Sequence, residues 1–432
     1  HELDLAVWFR EEIVPKHGPG STADGLLGNQ KYTQRTWPMR LNEFFPYWDF
    51  LIPNVRHVER LEDVALLEPG AEIPAKVITV PKTLKTPRII AMELTAMQYA
   101  QQALLPLIVD ELARDDNLRF IIGIEDQTPN QELAREGSLH GDLATLDLSE
   151  ASDRVSNQLV RALLDPHPQL HGAVDACRSR KVDVDGKTVR LAKFASMGSA
   201  LCFPFEAMVF TTLIFMGIEE GLSSPLDARD VKRLRRQVRV YGDDIIVPVD
   251  HVHSVIGVLQ NFGSVVNTGK SFWTVKFRES CGREYYDGHD VSIVRVRHMF
   301  PSSRKDATGV MSIVSLRNQL YFAGYWETCK WLDSIIEGVI RHFPVVLPSS
   351  PVLGRHSFLG FQTEKLHADL HSPLVRGYVS SARIPINMID DVDALLKYHL
   401  KRGREPSFDV NHLTRSGRAQ SIDIKLRWAS AV

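Results

Sequence analysis

Cysteine is scarce: four residues in 432, at positions 177, 202, 281 and 329, with no paired spacing of the kind that ligates a metal. That argues against a structural zinc and fits a reducing compartment. Net charge is equally scarce, because 51 Lys and Arg against 53 Asp and Glu leave a formal -2. A polyanionic partner must then be held by local basic surfaces instead of a global positive field. The longest apolar run, 203–218, contains Glu206 and two threonines. It is too short to span a bilayer comfortably, so a buried helix is expected there and no membrane partner. Internal repeats and low-complexity tracts are missing. The chain opens at His1 with neither an initiator Met nor a signal-like segment, so we expect it to lack its authentic N-terminus. What is present, 44% hydrophobic and 24% charged residues, is an ordinary globular composition with enough chain for a large core and two or three subdomains.

The sequence is organised around Val238-Arg-Val-Tyr-Gly-Asp-Asp-Ile-Ile-Val247. Two β-rich runs flank Gly242-Asp243-Asp244, and Gly and Asp tolerate tight-turn geometry, so the stretch predicts a hairpin with adjacent carboxylates at its tip. Hard cations such as Mg²⁺ take oxygen ligands, and a pair of them can serve phosphoryl transfer. Taken alone, the same residues also fit an acidic turn. A second carboxylate arrives at Asp147, at the end of the apolar strand pattern that begins at Leu143, before a helix that Ser149 to Asp153 would start. Read singly, Asp147 or Ser149 is a helix cap. A strand end and a neighbouring hairpin tip can nevertheless meet, so Asp147 and Asp243 are expected to share metal ions.

Other stretches supply groups for phosphate and sugar. Lys76 to Met92 reads as strand, Pro-bounded turn and strand, with Lys82, Lys85 and Arg88 clustered for a phosphate or a solvated turn. Thr95 to Leu112 has helical spacing with a bend at Pro106. Ser196-Met-Gly-Ser199 forms a small loop ahead of the buried helix, able to reach a ribose hydroxyl or merely to cap the helix. Lys232 to Arg239 reads as a solvated basic face or a phosphate track. Lys270 is a candidate proton donor to a leaving pyrophosphate, although a plain surface lysine fits too. The two histidines in Asp250-His-Val-His253 read as exposed residues, not as a metal site. The first 70 residues, rich in Pro, Gly and aromatics, predict loops pinned by their rings or able to stack on bases. From about residue 301 the pattern reads as mainly helical.

Taken in order, Thr79-Val-Pro-Lys82 through Arg88-Ile-Ile-Ala-Met-Glu93, Asp126-Gln-Thr-Pro-Asn-Gln131 with Glu136-Gly-Ser138, Asp147-Leu-Ser-Glu-Ala-Ser-Asp153, Ser196-Met-Gly198, Tyr241-Gly-Asp-Asp244 and Phe277-Arg-Glu-Ser-Cys-Gly282 resemble the palm of a template-directed RNA polymerase. More narrowly, residues 76 to 300 resemble the replicase subunit of the positive-strand RNA bacteriophages, the levivirus group. The resemblance implies an α+β right-hand fold of fingers, palm and thumb, with an antiparallel palm sheet carrying the Gly-Asp-Asp hairpin. Fingers are expected over 1–140 and in an insert at 161–194, palm over 141–160 and 195–300, and thumb with the C-terminal region over 301–432. By the same resemblance Asp147 and Asp243 bind two Mg²⁺ ions, for which Mn²⁺ is a possible substitute, with Asp244 beside them. Lys82, Lys85 and Arg88 contact the incoming triphosphate, Asp153 and Ser196 read the ribose, and Lys270 lies near the leaving group. The family carries Asn-Gly where this chain has Ser199-Ala200, so Ser199 stands in for the asparagine. Implied partners are template and product RNA, ribonucleoside triphosphates and host elongation factors Tu and Ts, in the bacterial cytoplasm. The chain is short for that family, chiefly on its N-terminal side. A reverse transcriptase would place a bulky aromatic five residues after the strand aspartate, where this chain has Ser152. A non-catalytic RNA-binding subunit leaves the ordered carboxylates unexplained.

Overall fold

The computed structural model describes residues 13–81, 87–401 and 419–432, which form two compact units. The first takes in residues up to 79, 89–292 and 387–401, and the second 80–88, 293–386 and the C-terminal strand, within the described residues.

Strands β1 (Ala75–Pro81) and β2 (Pro87–Met92), which belong to the first unit up to Thr79 and from Ile89, precede the long helix α1 (Thr95–Arg114), which runs through Pro106. Helix α2 (Thr128–His140) then leads into β3 (Leu143–Ser149). The short strands β4 (Lys181–Val184) and β5 (Lys187–Arg190) complete a four-stranded sheet ordered β2-β1-β4-β5. Helix α3 (Cys202–Leu222) follows, then β6 (Arg239–Tyr241), β7 (Asp244–Pro248), helix α4 (Val252–Asn261) and β8 (Val265–Val266). Strands β9 (Phe277–Ser280) and β10 (Arg283–Tyr286) form a hairpin turning at Cys281-Gly282.

The sheet that positions the site has the order β8-β3-β7-β6 and is antiparallel throughout. Its two faces follow from the period-2 alternation of strands. Ala144, Leu146 and Leu148 of β3, with Val240, Ile245 and Val247, turn to one side and are buried in the main core with α1, α3 and α4. Burial of each such side chain stabilises by roughly 1.5–3 kcal/mol, so a one-residue slip of register is strongly disfavoured. The other face holds Leu143 and Ile246, covered by Ala134 of α2 and Tyr285 of β10. Asp147 lies on this second face, two pairs along from Leu143. The expected α+β fold, with its antiparallel sheet and Gly-Asp-Asp hairpin, is therefore present.

Helix α3 is longer than the run expected, and its 21 residues are long and apolar enough to cross a membrane by length and composition. In the unit it is a core helix, 67% of its most apolar window being buried. The N-terminal aromatics mostly pin loops: Trp37 is fully buried and its indole N–H donates to the Phe45 carbonyl at 3.1 Å.

The second unit corrects the expectation of a mainly helical C-terminal region. Helices α5 (Ala307–Phe322) and α6 (Trp326–Val339) are followed by two long antiparallel strands, β11 (Pro373–Arg383) and β12 (Ser421–Ser430). Ile422, Ile424, Leu426 and Trp428 alternate with polar residues, a period of 2 and not of 3.6. The units also divide the chain differently from the expected boundaries. Segments expected as fingers and palm share the first unit, and 387–401 leaves the expected thumb to join it. There Lys397 Nζ donates to Asn29 Oδ1 at 2.8 Å.

Candidate active site

The hairpin of β6 and β7 pairs Tyr241 with Asp244 across a turn made by Gly242 and Asp243. Gly242 has φ +59, and a Cβ there would lie 2.6 Å from Phe203 Cε2, so both the backbone and the neighbouring ring call for glycine. On the other side, β3 pairs with β7 so that Asp147 stands directly opposite Asp244. Opposed residues of an antiparallel pair share a face with Cβ atoms about 4.5–5.5 Å apart. Two strands thus bring Asp147 and Asp244 together, and the turn sets Asp243 alongside as the exposed member.

Each carboxylate is held differently. Asp147 Oδ2 accepts from Asn267 Nδ2 at 2.9 Å, and its backbone is fixed by Ser271 Oγ at 3.1 Å and by the Asn267 amide at 2.9 Å. Asp244 Oδ1 accepts from the Cys281 amide at 3.0 Å, at the tip of the β9–β10 hairpin. Beneath it, Asn130 Nδ2 donates to the Asp244 carbonyl at 3.4 Å, while Asn130 Oδ1 accepts from Arg239 Nε at 3.2 Å. Arg239 is buried and also donates to the Phe120 carbonyl at 2.7 Å. It is a strut under the hairpin, which corrects its place in the expected solvated track. Lys232, Arg233 and Arg236 of that run are exposed.

The electrostatics show how concentrated the negative charge is. Burial raises the Asp244 carboxyl to about 6; the Cys281 amide opposes the rise, while Asp243 and Asp147 add to it. Glu206, buried in the first turns of α3, is raised to about 8 by burial, then by the charges of Asp243 and Asp153. Nothing in the sequence pattern singled out Glu206. An acid whose folded-state pKa lies above its ordinary 4.5 stabilises the fold fully below that value and loses the contribution as pH rises toward 8. Without divalent cations, melting temperature should therefore fall between pH 6 and pH 8.5. Glu206→Gln should flatten that fall, by a few kcal/mol at most across the whole window; thermal melts of both proteins giving equal slopes would contradict the assignment.

The donor set suits a hard divalent cation: carboxylate oxygens, with Asp244 and Glu206 raised in proton affinity by burial first and by neighbouring carboxylates second. Among the described residues, no three His, Cys, Asp or Glu side chains already form a metal cage.

The other expected residues are spread more widely. Asp153 is exposed on the one-turn helix Ala151–Arg154, which replaces the longer helix expected there, and it forms an ion pair with Lys193. The longer helix, Asn157–Leu164, begins only after Ser156 caps it. Ser196 is buried beside Glu93 and Ser199. Its loop lies close against β2: Met197 accepts from the Ala91 amide at 2.8 Å, and at Gly198, φ +121, any Cβ would run into the Ala91 carbonyl. The Ser199 hydroxyl donates to Gln101 Oε1 at 3.1 Å, which ties it to α1. Lys270 is exposed in a turn where its amide donates to the Asn267 carbonyl at 3.0 Å. Arg88 is exposed at the start of β2 and belongs to the second unit. Lys82 and Lys85 lie outside the described residues.

With that geometry in hand, the comparisons with known proteins are specific. The RNA-directed RNA polymerase subunit beta of Escherichia virus Qbeta is 37% identical over 332 residues, 74% of this chain and 52% of that protein. The RNA-directed RNA polymerase beta chain of Enterobacteria phage fr is 30% identical over 306 residues, 70% of this chain and 50% of that protein. The chain thus spans about half the length of these phage relatives. Among solved structures, the RNA-dependent RNA polymerase of a human picobirnavirus shares 14% identity over 61% of this chain and 58% of its own, at a TM-score of 0.42, a likeness too slight to carry an argument. The profile of the RNA replicase beta-chain matches residues 71–329, the stretch that includes both aspartate strands, the serine loop and the β9–β10 hairpin. On that match, this chain belongs to the RNA replicase beta-chain family.

Proposed function

We propose that this chain carries the catalytic centre of an RNA-directed RNA polymerase that copies a positive-strand RNA phage genome. The observation that carries the reading is the register of the sheet, in which Asp147 faces Asp244 and the Gly242 turn sets Asp243 beside them. Asp147, Asp243 and Asp244 hold two Mg²⁺ ions, or Mn²⁺ in their place, with Asp244 steadied by the Cys281 amide. When bound, the ions supply the positive charge that favours the deprotonated 3′-hydroxyl and offsets the charge of the departing pyrophosphate. The residues of the chain supply placement. Lys82, Lys85 and Arg88 engage the triphosphate, Asp153, Ser196 and Ser199 read the ribose, and Lys270 serves as proton donor near the leaving group. Positioning of this kind provides much of the rate in phosphoryl transfer, where the protein does little covalent chemistry. In this reading the fingers lie over 1–140 and 161–194, the palm over 141–160 and 195–300, and the thumb with the C-terminal region over 301–432. Template and product RNA and ribonucleoside triphosphates are the ligands, host elongation factors Tu and Ts are the partners, and the bacterial cytoplasm is the compartment.

The test is RNA synthesis by purified chain with an RNA template, Mg²⁺ and ribonucleotides, run with and without bacterial extract. Template-dependent incorporation that disappears with chelator is expected. No incorporation in either arm would overturn the proposal.

A further inference from the structure

The loop between β5 and α3 is fastened far more firmly than a Ser/Gly linker requires. Arg178, buried, donates through Nε to the Phe194 carbonyl at 2.6 Å and through Nη2 to the carbonyls of Lys193 and Leu191 at 2.8 and 3.0 Å. Its own carbonyl accepts from Arg40 Nη2 at 2.6 Å. Across the loop, the Phe194 amide donates to Val155 at 2.8 Å and the Asn157 amide to Ala192 at 3.1 Å, which sets Lys193 against Ser156 in an antiparallel bridge. Residues 192–194 and 155–157 are thus locked in register, and from these locked segments Lys193 Nζ reaches Asp153 Oδ1.

An exposed ion pair ordinarily contributes about 0–1 kcal/mol, largely because ordering two flexible side chains opposes it. Here the backbone beside both partners is already fixed, and the Lys193 side chain is only 23% exposed. The pair also has a particular neighbourhood: the charge of Asp153 acts on Glu206, as does that of Asp243, so the Lys193 ammonium lies at the edge of a crowd of carboxylates. Nζ engages Oδ1, which leaves Oδ2 of Asp153 as an acceptor for another donor.

We propose that Lys193 is a positioning residue for sugar selection: its ammonium holds the Asp153 carboxylate so that the second oxygen receives the 2′-hydroxyl of an incoming ribonucleotide. This rests on the reading of the chain as an RNA polymerase, and it adds a residue that acts through Asp153 without touching the reacting atoms. A site that accepts from a substrate hydroxyl discriminates strongly against the analogue lacking it. A carboxylate released from its ammonium swings over several rotamers and loses part of that discrimination.

The experiment compares wild type, Lys193→Met, Lys193→Arg, Asp153→Asn and the Lys193→Met/Asp153→Asn double variant. Incorporation of ribo- and deoxyribonucleotides is measured beside direct equilibrium binding of both triphosphates to the chain with template RNA. Lys193→Met should raise the ribonucleotide KM about tenfold and lower the ribose preference by a similar factor. Its kcat at saturation should stay within about threefold of wild type. Lys193→Arg should restore most of the preference. Asp153→Asn, which keeps the shape and removes the charge, should lose it, and the double variant should be no worse than Asp153→Asn alone. A Lys193→Met chain that incorporates nucleotide with wild-type preference overturns this inference and leaves the polymerase reading intact. A wild type that neither incorporates nor preferentially binds ribonucleotides overturns both.

Discussion

Asp243→Asn is expected to reduce RNA-templated nucleotide incorporation by about a thousandfold or more, about 4 kcal/mol in the barrier, while RNA affinity stays within about twofold. Asn keeps the size of the side chain and suits the turn, so what is removed is one negative charge at the exposed tip of the β6–β7 hairpin. The field around that charge predicts a second and opposite signature. Asp243 raises the proton affinity of both Glu206 and Asp244, so removing it relieves repulsion in the cation-free protein. Melting temperature should hold or rise as activity vanishes, a pattern typical of residues kept for chemistry at the expense of stability. Undiminished synthesis by the variant would remove the proposed centre. A melting temperature lowered by many degrees would make Asp243 a structural residue instead.

Gly242→Ala should be nearly as damaging, for a mechanical reason. A left-handed φ costs a non-glycine residue roughly 1–2 kcal/mol, and the new methyl would stand 2.6 Å from the Phe203 ring. That ring packs edge-on against Tyr241 at 5.1 Å, so the hairpin relaxes by shifting its tip. A displacement near 1 Å in a phosphoryl-transfer site can cost on the order of a hundredfold in rate, and this is the loss expected in kcat. Phe203→Ala in the same background separates the two causes. If crowding dominates, the double variant recovers much of the activity; if backbone strain dominates, it recovers none. Single-turnover incorporation by the three variants makes the distinction, and a Gly242→Ala chain with wild-type kcat would refute the claim that the turn needs glycine.

The parts legible in the sequence were those with an obligatory side-chain chemistry or period. Asp147, Asp243 and Asp244 could be found because hard cations need carboxylates and strands deliver them at their ends. The apolar run at 203–218 announced a core helix, although Glu219, Glu220 and Gly221 hid its last turn to Leu222. What escaped were contacts made by backbone or by unremarkable residues. The Cys281 amide that holds Asp244 has no side-chain signature. Asn130 and Asn267 read as ordinary polar residues until the fold sets them against Asp244 and Asp147. Glu206 lay inside a run defined by hydrophobicity, and its acidity becomes informative only with Asp243 and Asp153 in view. Arg239 belonged to a basic cluster, and only the neighbouring carbonyls explain its burial. In the second unit, the alternation in 421–430 was masked by Lys425 and Arg427, which a charge-counting reading assigns to a basic surface.

The hydrogen bond from Cys281 to Asp244 also bears on dissection of the chain. A fragment ending just after the Gly-Asp-Asp strand would keep every acidic ligand yet leave the Asp244 carboxylate without its amide donor and Ile246 without Tyr285 as cover. The smallest autonomous piece that preserves the shape of the acidic tip must therefore extend through Tyr286, well downstream of the Gly-Asp-Asp strand itself.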